Sequence, residues 1–497
     1  MSAALPTRRR IHLLALLLLC PASGWTAGAA LSLSECRLEH PQGLTSLAAE
    51  CGTLQVPENR ANPTGRQISL FVARIPALSR KRAPDPLFIL AGGPGLGAST
   101  FYAAAAPAFA RINRDRDLIL VDQRGTGRSG ALLCPFAEQQ LWDTDEATTT
   151  KLMRQCRDAL AVDHDLAQYT TSVAVADLDA VRAALGYAAI DLYGSSYGTR
   201  VAQHYARRYP QHTRALILDG VIPPQRVLGT TTPLDAEQTL QRIFSRCRET
   251  PECRERFGDP EQDYLELREQ LGAGAVAVQL AHPRSGEMLR LEFTTQLLAG
   301  ALRLASYSAD QAALLPLALT MANREKRFEP LAAQYLVAAA GYDAVLAYGM
   351  HNSVVCSEDV PLFNEATLNR RQLEGTFLGT AQIDSLRSIC AEWPVGPVDA
   401  DLHQALSSKA PALLLSGTAD PVTPAAFGDE AALGFTAALH LKFPDHGHGQ
   451  LAQPCVDGVM ARFLDRARPG EVPDVETSCV ERIRPPPFFL SVNGPAP

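Results

Sequence analysis

Short apolar runs alternate with amphipathic stretches along much of this chain. Residues 67–74 alternate with a period of two, and residues 86–90, 117–121, 188–193 and 215–218 are nearly unbroken apolar runs. Runs this short, bounded by Gly, Pro and Asp, predict strands, and the unbroken ones predict strands covered on both faces. Residues 172–185 (SVAVADLDAVRAAL) carry apolar side chains at helical spacing and stop at Gly186. Residues 201–209 predict a second helix. Strands alternating with helices imply an α/β protein with a mostly parallel sheet covered on both faces.

That rhythm breaks after Pro223-Pro224. From residue 222 to about 400, Ala, Leu, Glu and Arg dominate and strand signals are sparse, which predicts a long helical insertion. The α/β pattern returns with a strand at 411–416, a helix at 425–434, a strand at 439–443 and a closing helix within 450–467. Residues 30–60 read as a disulfide-tied lead-in, and the proline-rich tail from Arg484 as an irregular strap. The organisation expected is 1–29 as a leader, 30–221 as the first part of the core, 222–400 as a cap, and 401–497 as the rest of the core.

The leader assignment rests on Arg8-Arg9-Arg10, an apolar run from Leu13 to Cys20, and the A-x-A pattern at Ala27-Gly28-Ala29. That is the pattern of a cleaved secretory signal, and the run is too short to span a bilayer. A lipid anchor on Cys20 is disfavoured by the bulky Leu19 before it. The expected location is therefore periplasmic or secreted, with no stable membrane insertion. The formal net charge is −7, and losing the three leader arginines makes it more acidic. No Lys/Arg run marks the protein for nucleic acid. With Cys20 in the leader, ten of the eleven cysteines remain. An even number in an exported chain points to disulfides. Pairing near neighbours gives the simplest of many connectivities: Cys36–Cys51, Cys134–Cys156, Cys247–Cys253, Cys356–Cys390 and Cys455–Cys479. No C-x-x-C pair suggests zinc, and no metal or organic cofactor is expected.

Three predicted strand ends carry chemistry. The first is Gly194-Ser195-Ser196-Tyr197-Gly198, a G-x-S-x-G pentapeptide between a strand and a helix. The second is Gly417-Thr418-Ala419-Asp420-Pro421, and the third Asp445-His446-Gly447-His448-Gly449. A serine hydroxyl is a weak nucleophile, so a histidine must take its proton, and a buried carboxylate must fix that histidine's tautomer. Loops at the carboxyl ends of parallel strands converge on one rim, so Ser196, Asp420 and His448 can meet despite their separation. His446 is the other candidate base; His448, between two glycines, suits a presented side chain better. A turn serine and a capping aspartate before Pro421 are the plain structural alternatives. Two oxyanion donors are expected, the Tyr197 amide and one from the loop Ala91-Gly92-Gly93-Pro94-Gly95, with Gly93 preferred over Gly92. That loop lacks the Lys-Ser/Thr of a phosphate-binding loop. Arg124 and Arg128, in Asp122-Gln123-Arg124-Gly125-Thr126-Gly127-Arg128-Ser129, fit a structural turn better than an anion site.

The Gly92-Gly93 loop, the Asp122–Ser129 segment and the pentapeptide around Ser196, in this order, resemble the prolyl aminopeptidase and tripeptidyl aminopeptidase family, whose exported tripeptidyl members are the nearer match. The resemblance runs from about residue 35 to about 480. It implies an α/β-hydrolase fold with a large helical cap inserted after the sixth strand. It further implies a serine-type hydrolase acting on a peptide or small acyl substrate through an acyl-enzyme, and releasing one or a few residues from peptide N-termini. It carries Ser196, Asp420, His448, Gly93 and Tyr197 into those roles. Ala91 departs from the histidine that many prolyl aminopeptidases have there. Such proteins read the free amino terminus with cap carboxylates, and Glu358 and Asp359, beside Cys356, are the candidates. An esterase or lipase using the same triad, and a non-catalytic binding protein, are the alternatives.

Overall fold

The computed structural model describes residues 1–2, 31–135, 146–343 and 345–495. The leader motif, from Arg8 to Ala29, lies outside the described residues. Eleven strands are present among them: β1 (Ser34–Glu39), β2 (Ser46–Pro57), β3 (Gln67–Ile75), β4 (Leu87–Leu90), β5 (Leu118–Val121), β6 (Ile190–Ser195), β7 (Thr213–Asp219), β8 (Val276–Ala281), β9 (Met288–Phe293), β10 (Ala412–Gly417) and β11 (Ala438–Phe443).

Nine form one sheet in the order β1-β2-β3-β5-β4-β6-β7-β10-β11. Pairing is antiparallel from β1 to β5 and parallel from β5 to β11. Period-two alternation divides each strand between two cores. On β10, Leu414 joins one apolar cluster and Leu413 and Leu415 the other. Helices Thr171–Ala184 and Tyr197–Arg208 cover the first face, and Val456–Arg466 the second. The chain passes from β4 to β5 on one side, then crosses back to β6 on the other. Sheets of this kind open a crevice at the carboxyl ends of the strands where the order reverses, and here the loops after β4 and β6 line one cavity.

The lead-in segment forms two strands, β1 and β2, so the insertion follows the seventh strand in chain order rather than the sixth. The Cys36–Cys51 bond and a continuous antiparallel ladder hold these residues on the edge of the sheet despite their mixed polarity. Between β7 and β10 the chain is mainly helical, with its own apolar core around Phe244, Leu267 and Leu302. Sparse strand signals there correspond to one hairpin, β8–β9, whose Val278 and Leu280 alternate inward. The tail crosses to this insertion: Phe489 N–H donates to Ala313 O at 3.1 Å, and Arg246 stacks on Phe488. All five near-neighbour disulfides are formed.

Candidate active site

Ser196 sits between β6 and helix Tyr197–Arg208 with φ 53° and ψ −121°. A non-glycine residue at positive φ is held there by its surroundings. Its N–H donates to Asp219 O at 2.8 Å and its carbonyl accepts from Thr199 N–H at 2.8 Å. The flanking glycines follow from packing. A Cβ on Gly194 would collide with the Gly198 carbonyl, and one on Gly198 would lie 2.5 Å from Leu90 O. The helix therefore passes both β6 and β4 more closely than a side chain permits.

Asp420, buried after β10, is saturated with donors. Its Oδ1 accepts from Val422 N–H at 2.9 Å and Thr423 N–H at 2.8 Å. Its Oδ2 accepts from Thr423 Oγ1 at 2.7 Å and pairs with His448 Nδ1 at 2.7 Å. Burial alone would lower the His448 pKa, but the Asp420 charge and its hydrogen bond outweigh that and raise it, with Asp219 adding. His446 is elsewhere: its Nδ1 faces Pro444 O at 2.8 Å and its ring packs edge-on to Phe443.

Asp420 at Nδ1 leaves His448 Nε2 for other partners. No hydrogen bond joins the His448 ring to Ser196 Oγ in this structure, yet both residues line one cavity of about 640 Å³. Catalytic contacts of this type commonly tighten only around substrate. Gly92 and Gly93 line the same cavity. A Cβ on Gly92 would lie 3.0 Å from Ser196 Cβ, and Gly93 holds φ 108°. The Tyr197 amide is the first of its helix, where no carbonyl of the helix itself can accept from it. Its phenol points away from the cavity, to Thr171 Oγ1 at 2.7 Å.

Sequence reasoning did not find Asp219, the last residue of β7. Its main-chain oxygen holds the Ser196 turn, while its carboxylate accepts Gln450 N–H at 2.9 and 3.0 Å and Tyr193 OH at 2.9 Å. One residue thus braces both the serine turn and the histidine loop. Burial pushes its pKa up to about 6, against the pull of Gln450 and Tyr193. An aspartate ending a strand gives no local signal of this link. The insertion adds two more braces. Tyr307 O accepts from His448 N–H at 2.8 Å, and Ala347 N–H donates to Gly95 O at 3.0 Å.

Glu358 and Asp359, expected to read a substrate amino group, are not among the residues that line the cavity. Both lie fully buried against Arg200 of the helix after Ser196. Arg200 donates twice to Asp359 at 2.9 Å and lies 3.5 Å from Glu358. Thr171 donates to Glu358 through N–H at 2.6 Å and Oγ1 at 2.9 Å. Burial drives the Glu358 pKa up to about 7 although Arg200 opposes it. A fully buried guanidinium requires a carboxylate, and these two supply it. Arg124 and Arg128 are structural as expected. Arg124 is buried on Asp177 at 2.6 and 2.8 Å, and Arg128 lies over Phe71.

Two family models match the chain, one described as the alpha/beta hydrolase fold over residues 85–252 and one as TAP-like protein over residues 375–479. The chain has the α/β-hydrolase fold. The first match covers the Gly92-Gly93 loop and the Ser196 turn, and the second covers Asp420 and His448. Among curated relatives, "Serine protease Hip1" of Mycobacterium tuberculosis is 27% identical over 86% of this chain and 87% of its own. "Carboxylesterase B" of the same organism is 29% identical over 92% of each chain. "Tripeptidyl aminopeptidase" of Streptomyces coelicolor is 30% identical over 36% of each.

Proposed function

We propose that this hydrolase is a serine peptidase that removes one or a few residues from the N-termini of peptides through an acyl-enzyme. The observation that carries the reading is the 2.7 Å pair between Asp420 Oδ2 and His448 Nδ1, on a cavity shared with a serine at positive φ. Ser196 Oγ attacks the scissile carbonyl and gives its proton to His448 Nε2. Asp420 keeps the Nδ1 proton in place and stabilises the imidazolium. The amides of Tyr197 and Gly93 receive the oxyanion, aided by the positive end of helix Tyr197–Arg208. His448 returns its proton to the leaving amine, and water then repeats the sequence on the acyl-enzyme. Residues 30–221 and 401–497 form the catalytic unit, with 222–400 as its cap. Five disulfides favour export, to the periplasm or beyond.

One observation favours a second reading, an esterase on the same triad. Among the described residues lining the cavity there is no carboxylate to meet a substrate ammonium. A fluorophosphonate probe labels the purified protein, and Ser196→Ala abolishes labelling, if the serine is activated. Matched substrates then decide between readings. Cleavage of free-amino peptide amides supports the peptidase; brisk ester hydrolysis without amide hydrolysis supports the esterase.

A further inference from the structure

The cavity carries one guanidinium with open valences. Arg303 lies on helix Thr295–Ser306 and lines the cavity beside Leu304 and Tyr307. Its Nη1 donates to Gln382 Oε1 at 2.9 Å. Among the described residues no carboxylate pairs with it. Among the described residues its side chain makes no other hydrogen bond. A guanidinium left this way in a largely apolar pocket, its fork braced by an amide, is arranged to receive a carboxylate.

Its position along the helix says which half of the substrate it meets. Tyr307 follows one helical turn later, on the same face, at a rise of about 6 Å. The Tyr307 ring packs edge-on to His448, with centroids 5.5 Å apart, and its carbonyl holds the His448 amide. His448 protonates the leaving amine, so the leaving half of the substrate lies on its side of Ser196, away from the Gly92-Gly93 loop. An extended peptide advances about 3.3 Å per residue, so the one-turn rise from Tyr307 to Arg303 equals about two residues of it.

We propose that Arg303, braced by Gln382, is a specificity residue that binds a carboxylate on the leaving half of the substrate, so that short peptides ending there in a free C-terminus are favoured. This rests on the peptidase reading for the direction of the chain, but the binding itself requires no turnover. In the Ser196→Ala protein, calorimetry compares a free-amino peptide whose leaving half is two residues ending in a carboxylate with the same peptide ending in a carboxamide. The carboxylate form binds on the order of 10-fold more tightly, a partly exposed charge-assisted contact. Adding Arg303→Gln removes the difference, while Arg303→Lys keeps part of it. Fluorophosphonate labelling of the two single Arg303 variants, with Ser196 intact, verifies that their sites are folded. Equal binding of the two peptides to Ser196→Ala, or a preference that survives Arg303→Gln, overturns the proposal. A carboxylate preference without cleavage of any peptide by the unmodified protein leaves the subsite standing and defeats the peptidase reading instead.

Discussion

Asp420→Asn tests the core of the reasoning, because it changes charge and donor pattern with little change in shape. The amide oxygen can still accept from Val422 and Thr423 N–H at 2.9 and 2.8 Å. The amide nitrogen then replaces Oδ2, and two donors confront each other where His448 Nδ1 stood at 2.7 Å. The imidazole must move its proton to Nε2, the nitrogen needed as base. Loss of the carboxylate beside a developing imidazolium costs about 4 kcal/mol at a charge separation near 4 Å and an effective dielectric of about 20. That is roughly 1,000-fold in rate, and the inverted tautomer adds further, for a total on the order of 10⁴ in kcat. The His448 pKa also falls, because the Asp420 charge is what holds it up. The assay is kcat against pH on the best free-amino amide, with fluorophosphonate labelling rates as an independent readout. A variant that keeps activity within about 10-fold of the parent, with an unmoved pH midpoint, refutes the triad as drawn.

In the unmodified protein the raised His448 pKa places the acid limb of kcat/KM above the usual histidine value, since the base must be neutral; a midpoint below 6.5 contradicts the Asp420 pairing. The same shift has a sign for stability: the contribution is full below the unfolded pKa and is lost as pH rises through the folded one, so denaturant midpoints should show His448→Gln losing more at low pH. Gly198→Ala forces a Cβ to 2.5 Å from Leu90 O, so thermal melts should drop by the equivalent of about 1–3 kcal/mol and labelling of Ser196 should fall with them. Asp359→Ala removes the two 2.9 Å contacts of the buried Arg200 and leaves it Glu358 at 3.5 Å, which costs about 3 kcal/mol in denaturant unfolding, with equal loss of activity on free-amino and N-blocked substrates. Selective loss on free-amino substrates alone would instead restore Asp359 as a reader of the amino terminus.

Much of this site was legible because its signals are local. A serine between two glycines at the end of an apolar run specifies a turn whose tightness follows from backbone sterics. Asp420 and His448 were legible by position, as polar residues closing buried strands on the rim where such loops converge. The cysteines paired with their near neighbours, since a short tether makes those partners the easiest to reach.

What the chain by itself determined, then, is the set of elements whose causes lie within a few residues: strand periodicity, the strained serine turn and the order serine, acid, histidine. Tertiary structure alone decided what the buried acids pair with. Glu358 and Asp359 look like free cap carboxylates in the sequence, yet a guanidinium buried on the helix behind Ser196 claims them. Asp219 looks like an ordinary strand end, yet it ties the serine turn to the histidine loop across more than two hundred residues. The reason is physical: a buried charge or donor must find its partner wherever the fold brings one, and that distance is set by packing rather than by sequence separation.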